Sequence, residues 1–310
     1  MSDFVQQHAV KCSFNTSDSW IILTPIEQSI KSKIEAIGKP LKEWDIQINY
    51  GIKTGYNDAF IISTDKRVEI LNNCKDDEER ARTADLIRPI LRGRDIKRYG
   101  YTWADLWLIA TFPSRHYNID DFPAVKSYLL SIGKERLEQT GKTHILEGEK
   151  VKARKKTNNK WFETQDSISY WEEFSKPKIV WAELARTGNA FTIDMERNMI
   201  GNTAYMLTDN HDDIDTLKYI LAFMNSRYML YSLNQISTRL DDTGWRWLRQ
   251  FVELLRIPPL VDKTRILDAF DSLTTENTTE AREKINSLVC EIYNFTKEEE
   301  DYINKGLLSY

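Results

Sequence analysis

The chain has 310 residues, a formal net charge of −4 and three cysteines. This length allows one large domain or two smaller ones with a full core, and the charge excludes a protein that is basic all over. Cys12, Cys74 and Cys290 form no Cys-x-x-Cys pair, which excludes the usual zinc and redox motifs. The sequence has no signal-peptide pattern and no apolar run as long as a membrane span, so we expect a soluble, cytoplasmic protein.

The charges are distributed unevenly. Residues 262–310 carry 11 acidic and 6 basic side chains, whereas residues 1–261 are nearly neutral, with 36 acidic and 37 basic ones. Two stretches of that body are strongly basic, "RGRDIKRY" at 92–99 and "KVKARKKTNNK" at 150–160. Basic patches on a near-neutral body fit a protein that meets a polyanion on one face; solvated surface loops are the alternative.

The first half of the chain predicts helices and strands in alternation. The clearest helix has Thr24 as its N-cap, Pro25 in its first turn, Glu27 three positions after the cap and Gly38 as its stop. The other predicted elements are strands at 44–50, 58–63 and 106–112, helices near 76–86 and 121–138, a strand or short helix at 67–74 and a long surface loop at 139–160.

The second half predicts strands followed by helices. The predicted elements are strands at 177–184, 189–195 and 202–208, one or two helices over 213–237, and three helices after Pro258-Pro259, the last capped by Thr296. We therefore predict an α+β fold, with a mixed or antiparallel sheet, peripheral helices and a helical C-terminal segment. The predicted divisions are an N-terminal linker (1–23), a main domain (24–260) and a helical tail (261–310).

Catalytic motifs are absent from the sequence. It contains no Gly-x-Gly-x-x-Gly, Walker, Gly-x-Ser-x-Gly or His-Glu-x-x-His pattern, and its four histidines are scattered. "PKIVWAELAR" has a strand, a glutamate and a lysine, but not in the order of a nuclease metal site. We expect no catalytic residue and no metal site in this chain.

The stretch "NYGIKTGYNDAFIIS" at 49–63 places an unusually polar turn between two predicted strands. Its glycines allow the turn to approach a ligand closely, Lys53 can pair with a phosphate, and Asn57 can read a base edge or simply cap the turn. Among the tryptophans, Trp181 in its apolar strand is expected in the core. Trp161 and Trp245 adjoin basic residues and are candidates for stacking.

The order of several motifs resembles the C-terminal specificity domains of TaqI-like adenine methyltransferases and of related fused, type IIG-like restriction-modification enzymes. The motifs are "PLKEWDIQINYGIKTGYNDAFII", "LIRPILRGRDIKRY", "PKIVWAE" with "FTID", "NTAYML" with "LKYILAFMNS", "IPPL" and "KINSLVCEIYNFTKEEEDYI". The resemblance implies that residues 24–260 form a DNA target recognition domain in a bacterial or archaeal phage-defence system, and that double-stranded DNA and a methyltransferase domain, with or without a nuclease domain, are partners. The family's Asn-Pro-Pro-Tyr motif and methyl-donor pocket are missing, so the resemblance implies S-adenosylmethionine only in a separate methyltransferase domain.

Carried onto this sequence, the first family motif covers Lys53, Thr54 and Asn57, and the second covers Arg92, Gly93, Asp95, Ile96 and Tyr99; in the second, Arg92 or Asp95 can instead organise loops. Loop position and charge extend the set, with Asn57, Arg186, Arg239 and Arg246 as the candidates for reading bases. The predicted DNA-binding residues are Lys53, Thr54, Tyr56, Asn57, Arg92, Arg94, Lys97, Arg98, Lys152, Arg154, Lys155, Lys156, Lys160, Trp161, Arg186, Arg239, Trp245 and Arg246. The alternative is a protein-interaction module of a phage-defence complex, in which these side chains form a protein interface.

Overall fold

The computed structural model describes residues 23–146, 148–185, 190–241, 244–276 and 278–308. The helices are α1 (Pro25–Ile37), α2 (Asn57–Phe60), α3 (Thr64–Asn72), α4 (Asp77–Leu86), α5 (Pro123–Ile132), α6 (Lys134–Leu137), α7 (Ile214–Met224), α8 (Arg227–Ile236), α9 (Arg249–Val252), α10 (Lys263–Glu276), α11 (Thr279–Tyr293) and α12 (Lys297–Leu308). The strands are β1 (Lys39–Pro40), β2 (Ile46–Tyr50), β3 (Ile61–Ser63), β4 (Ile87–Leu91), β5 (Ile96–Lys97), β6 (Gly100–Tyr101), β7 (Leu106–Ile109), β8 (Thr143–Leu146), β9 (Glu149–Lys152), β10 (Lys178–Ala182), β11 (Leu184–Ala185), β12 (Phe191–Asp194), β13 (Met199–Ile200), β14 (Ala204–Asp209), β15 (Thr238–Asp241), β16 (Gly244–Arg246) and β17 (Arg256–Ile257).

The chain divides into two compact units. The larger unit contains Asp45–Leu217 and Arg246–Arg249; the smaller contains the described residues up to Trp44, Lys218–Trp245 and the described residues from Gln250 onward. Residues 1–22 of the predicted linker lie outside the described residues, and the boundary predicted after residue 260 stays a prediction. The predicted α+β fold class is confirmed.

One sheet of the larger unit is antiparallel throughout. Its strands lie in the order β12-β10-β14-β2. The two central strands, β10 and β14, are mostly apolar and almost completely buried, as expected of strands that are covered on both faces. Trp181 in β10 is fully buried, which confirms the core position predicted for it.

A second sheet of the larger unit is mixed. Its order is β13-β4-β7-β3, with β13 parallel to β4 and the other pairs antiparallel. The core around it includes Phe60, Ile87, Leu108, Phe174 and Ile200, all fully buried. This core supports the start of the polar turn, because Ile52 forms a bridge beside β13 and is itself buried.

An ion pair lies inside the larger unit. Lys178 and Asp194 are partners in the β10–β12 register, both side chains are fully buried, and Nζ lies 2.7 Å from Oδ2. Nζ also donates to the Phe174 carbonyl oxygen, and the carboxylate accepts hydrogen bonds from both nitrogens of Asn198. Burial lowers the pKa of the Lys178 ammonium, and the charge of Asp194 only partly offsets that effect.

The smaller unit is helical, apart from the short antiparallel pair β1–β17, the strand β15 and the first two residues of β16. Helix α1 begins with the predicted capping box between Thr24 and Glu27, and buries Ile30 and Ile34. The rings of Tyr219, Phe223 and Tyr293 pack in succession in its core, with centroid separations of 4.9 and 6.1 Å. Among the described residues, no helix is long and apolar enough to cross a bilayer.

A buried carboxylate ties two helices of this unit together. Glu299 in α12 accepts hydrogen bonds from Ser29 and Lys33 of α1, at 2.6 Å each, and from the Thr296 amide at 2.7 Å. Burial raises the pKa of its carboxyl group, but these hydrogen bonds outweigh burial and bring the pKa down to about 2. The Thr296 cap predicted from the sequence is thus part of a wider network.

Two local predictions need correction, and one open alternative is resolved. Residues 57–60 form helix α2, so the strand predicted over 58–63 is reduced to β3. Residues 67–72 belong to helix α3, which settles the alternative of strand or helix at 67–74. The loop predicted over 139–160 contains the antiparallel hairpin β8–β9, whose largely exposed residues lack the apolar alternation by which a half-buried strand is recognised.

We predict that Asp194→Asn lowers the free energy of unfolding by about 3 kcal/mol, because it leaves a buried ammonium without its counter-charge. Urea denaturation of the chain measures this loss. The control is Glu69→Gln, which removes the exposed ion pair between Lys66 and Glu69 and should cost less than about 1 kcal/mol. Equal losses in the two variants would contradict a structural role for the buried pair.

We predict that the contribution of Glu299 to stability depends on pH. Its folded-state pKa lies below the ordinary value of 4.5, so the carboxylate stabilises the fold above about pH 4.5, and that stability is lost as the pH falls toward about 2. Glu299→Gln should cost on the order of 2 kcal/mol at neutral pH and progressively less in acid. The measurement is the difference in unfolding free energy between wild type and variant across this pH range, with the exposed Glu298→Gln as control. A difference that does not change with pH would refute the assignment.

Candidate nucleic-acid interface

Two glycines fix the backbone of the polar turn. A Cβ on Gly51 would lie 2.0 Å from the Gly201 carbonyl oxygen, so only glycine allows the close approach in which Gly51 donates to Ala204 and Ile52 donates to Ile200. Gly55 has a φ of +81°, a left-handed conformation that favours glycine. The turn is thereby held at one end by main-chain contacts and bent sharply at the other.

Inside the turn, Thr54 is a framework residue. Its side chain is fully buried; its hydroxyl donates to Asn57 Oδ1 at 2.7 Å and accepts from the Tyr56 amide at 3.2 Å. A buried hydroxyl with both partners inside the turn has no surface to offer DNA, so its predicted DNA contact is corrected to an internal one. Lys53 and Asn57, on either side, are exposed.

Arg154 lies beneath this turn and connects it to two other segments. The side chain is 4% exposed, and all three guanidinium nitrogens donate to carbonyl oxygens: Nε to Leu137 at 2.8 Å, Nη1 to Thr54 and Glu163 at 2.8 Å each, and Nη2 to Trp161 at 2.7 Å. Burial lowers the pKa of Arg154 to about 10, which still leaves it charged at neutral pH. The predicted phosphate contact is therefore wrong for this residue: its donors are already used inside the protein.

Its neighbours in the basic stretch are placed differently. Lys152, Lys155, Lys156 and Lys160 are exposed. Lys160 is partly tethered, since its Nζ donates to the Tyr117 carbonyl oxygen at 3.4 Å. With the exposed Lys150, one buried arginine and five exposed lysines thus come from a single run of basic residues.

Lys53 and Lys155 both lie close enough to Asp166 for their charges to act on its carboxylate. Burial raises the pKa of Asp166, and the nearby charges of Lys53 and Lys155 lower it only in part. The Lys53 carbonyl oxygen also accepts from the Gln165 and Asp166 amides at 3.1 and 3.3 Å. The polar turn and the basic stretch, about a hundred residues apart in sequence, therefore share one edge of the larger unit. We call it the basic edge and define it as Lys53 and Lys155 together with Lys156, the exposed neighbour of Lys155 in sequence.

Tyr56 is oriented by an arginine that the sequence reasoning missed. Arg136 in α6 donates to the Tyr56 hydroxyl at 2.9 Å, and its guanidinium lies 5.4 Å from the centre of the Tyr56 ring. The two residues are 80 positions apart, and no local motif points to their contact. Tyr56 is half-buried and packs on the core, so this pair positions the turn.

The second family motif has a structural half and an exposed half. Arg92 forms a two-pronged pair with the buried Asp95, with Nε to Oδ2 at 3.0 Å and Nη2 to Oδ1 at 2.8 Å; these hydrogen bonds raise the pKa of Arg92. This is the loop-organising alternative considered for the motif. Two of the three guanidinium nitrogens of Arg92 donate to a carboxylate inside the protein and are therefore already used. Arg94 and Lys97 are exposed, and Arg98 is half-buried with its guanidinium 5.5 Å from the centre of the Tyr99 ring.

The tryptophan and arginine candidates are spread over the chain. Trp161 is half-buried against the core, with Phe162 edge-on at 5.7 Å, so most of its surface serves packing. Trp245 is half-buried, with the Arg239 guanidinium 5.7 Å from its ring centre. Arg246 is exposed but pairs with Glu183 at 2.6 Å. Arg186 lies outside the described residues.

A second basic surface was not predicted. The Arg115 guanidinium lies 3.8 Å from the centre of the Trp171 ring, a separation typical of cation–π stacking. It borders an open concavity of about 620 Å³ whose lining is Arg82, Arg115, His116, Tyr117, Asn118, Asp121 and Phe122. In the sequence, the motif "PSRHYN" at 113–118 was the signal from which this surface could have been predicted.

Among the described residues, no group of histidine, cysteine and acidic side chains is arranged to hold a metal ion.

We predict that Arg154→Met lowers the free energy of unfolding by about 3 kcal/mol, because it leaves buried carbonyl oxygens of three segments without donors. Lys155→Met, the adjacent exposed residue, should change stability by less than about 0.5 kcal/mol. Urea denaturation of the two variants makes the comparison. Similar stabilities would contradict the buried role of Arg154.

Comparisons with known proteins agree on one family. Over 299 residues the chain is 25% identical to the type II methyltransferase M.BstVI of Geobacillus stearothermophilus, covering 95% of this chain and 47% of that protein. The chain thus spans about half the length of the curated relative it matches.

Two solved structures share the fold. One is the type IIG restriction endonuclease BpuSI, with a TM-score of 0.50 and 14% identity, covering 87% of this chain and 33% of that one. The other is the type IIL restriction-modification enzyme MmeI in complex with DNA, with a TM-score of 0.53 and 12% identity, covering 86% of this chain and 36% of that one. The model of the TaqI-like C-terminal specificity domain matches residues 88–258, more than half of the sequence, and the chain therefore belongs to the TaqI-like C-terminal specificity domain family.

Proposed function

We propose that this chain recognises a short sequence in double-stranded DNA on behalf of a restriction-modification type adenine methyltransferase. Membership of a specificity-domain family supports a recognition role, and the solved relative MmeI was captured with DNA. The observation that carries the proposal is the basic edge: Lys53 and Lys155, from distant parts of the sequence, both lie within electrostatic reach of Asp166, and a buried arginine fixes the backbone beneath Lys53.

The exposed cations would supply affinity without sequence information. Lys53, Lys155 and Lys156 project ammonium groups that can neutralise phosphates and release counterions, and Arg94 and Lys97 can do the same from the second motif. Such contacts set the register of the protein on the duplex, and they weaken as salt rises.

Base reading needs polar groups on a fixed backbone. Asn57 is exposed at the end of the turn. Its Oδ1 accepts a hydrogen bond from the Thr54 hydroxyl, which orients the amide. Asparagine commonly pairs with adenine in the major groove. Arg246 is held by Glu183, which orients its guanidinium in the same way. Arg239 beside Trp245 and the undescribed Arg186 complete the proposed reading set.

Catalysis would require a further domain. The chain has no Asn-Pro-Pro-Tyr sequence, and it covers 47% of the methyltransferase it resembles. We propose that a methyltransferase domain, in cis or in trans, binds S-adenosylmethionine and methylates the adenine that this chain selects. The chain alone would bind DNA without modifying or cutting it.

We predict that Lys53, Lys155 and Lys156, replaced together by glutamine, make DNA binding less dependent on salt. Duplexes are first recovered by the wild-type chain from a randomised pool, and binding is then measured as salt rises. The slope of log affinity against log salt is negative, and its magnitude should decrease by about 2 to 3, since each lost phosphate contact contributes about 0.9.

The matched control replaces Lys31, Lys42 and Lys284, three exposed lysines of the smaller unit, by glutamine, with the same change in net charge. It should leave the slope unchanged. Equal effects of both triple variants would contradict the basic edge as the contact surface. Failure of the wild-type chain to bind any duplex would refute DNA recognition by this chain and favour the protein-interaction alternative.

A further inference from the structure

The hairpin β8–β9 has two faces of different character. Its register pairs Thr143 with Lys152 and Ile145 with Lys150, and because side chains alternate along a strand these four point to the same side. All four are exposed. We call this side the outer face: Thr143, Ile145, Lys150 and Lys152.

The opposite side of the hairpin is partly buried. It carries His144 and Val151, which are both half-buried, together with Leu146 and Glu149 nearer the turn. Only the His144–Val151 pair on this side is half-buried, because Leu146 and Glu149 are exposed like the residues of the outer face. The outer face is thus exposed at all four positions, whereas the opposite side is partly buried at its middle pair.

The outer face is unusual for a surface that has no partner. Ile145 is 73% exposed, the highest value among the exposed large apolar residues of the described chain, and the outer face places it with two ammonium groups and no carboxylate. Packing inside the protein does not account for an isoleucine in that position. Apolar contact flanked by positive charge is instead a combination that suits a DNA groove, where methyl groups lie between rows of phosphates.

The base of the hairpin and the polar turn are both held by contacts of the same residue, Arg154. Its base is closed by the Ala153 amide donating to Lys142 at 2.9 Å and the Gly141 amide donating to Arg154 at 2.8 Å. Arg154 follows the second strand after one residue and donates to the Thr54 carbonyl oxygen. One buried arginine thus fixes both the turn that carries Lys53 and the root of the hairpin.

We propose that the outer face of the hairpin enters the major groove of duplex DNA as a two-stranded ribbon. This inference rests on the proposed function and adds the element that reads the groove. Four residues of strand extend about 13 Å, and the major groove, about 12 Å wide and 8.5 Å deep, admits a two-stranded ribbon. Ile145 meets apolar base atoms such as the C5-methyl group of thymine, and Lys150 and Lys152 donate to guanine O6 and N7 or to phosphates.

The test places a photoreactive benzophenone amino acid at position 145 or, as the matched control, at position 146. The two positions are adjacent but belong to opposite faces of the ribbon, so a change at either should leave the fold intact. Each variant of the full chain is bound to duplexes recovered from the randomised pool, or to the pool itself when none is enriched, and is then irradiated. Cross-linked nucleotides are mapped by mass spectrometry.

We expect position 145 to cross-link about tenfold more than position 146, because side chains alternate across the ribbon, with attachment to base atoms on the major-groove edge. Binding without cross-linking from 145, or with equal cross-linking from both positions, overturns the ribbon proposal and leaves DNA recognition standing. Cross-links confined to sugar carbons that line the minor groove overturn the assignment to the major groove. Absence of binding to any duplex refutes both this proposal and the proposed function.

Discussion

The arrangement of the candidate interface depends on a single buried guanidinium. Arg154 donates to carbonyl oxygens of Thr54, Leu137, Trp161 and Glu163, which belong to three separate stretches of chain. Burying a cation is costly, and hydrogen bonds to several carbonyl dipoles compensate for the lost water. Lysine could not replace it, because one ammonium cannot span carbonyl oxygens that diverge around a planar fork.

The basic residues of this chain divide into those that build the protein and those that face outward. Arg154, Arg92 and Lys178 have their donors on carbonyl or carboxylate oxygens inside the fold, whereas Lys53 and Lys155 are exposed. The framework cations hold the backbone from which the exposed cations project. A count of positive charges therefore overstates the surface that is available to a polyanion.

Sequence reasoning succeeded where the signals are local. Neighbouring residues form the capping box of Thr24 and Glu27 and the apolar run around Trp181. The helix and the strand that these patterns predicted are present. It failed where the decisive fact is tertiary. Arg154 and Lys155 look alike in the run "KARKK", because burial depends on Leu137 and Thr54, which are far away in sequence. The contact between Arg136 and Tyr56 could not be predicted from the sequence either, because the two residues are also far apart along the chain.

In the proposed function, the buried arginine would matter more for reading bases than for holding phosphates. A lysine reaches a phosphate through a flexible stem, and its attraction tolerates displacement of the backbone. Discrimination between bases is worth about 1 to 3 kcal/mol per paired contact, and it depends on donors and acceptors that are placed before the DNA arrives. Asn57 gains such placement from the Thr54 hydroxyl, and the Thr54 carbonyl oxygen is held in turn by Arg154. In the proposed function, the rigidity of the turn would therefore be the physical basis of selectivity, and the exposed lysines would contribute binding strength.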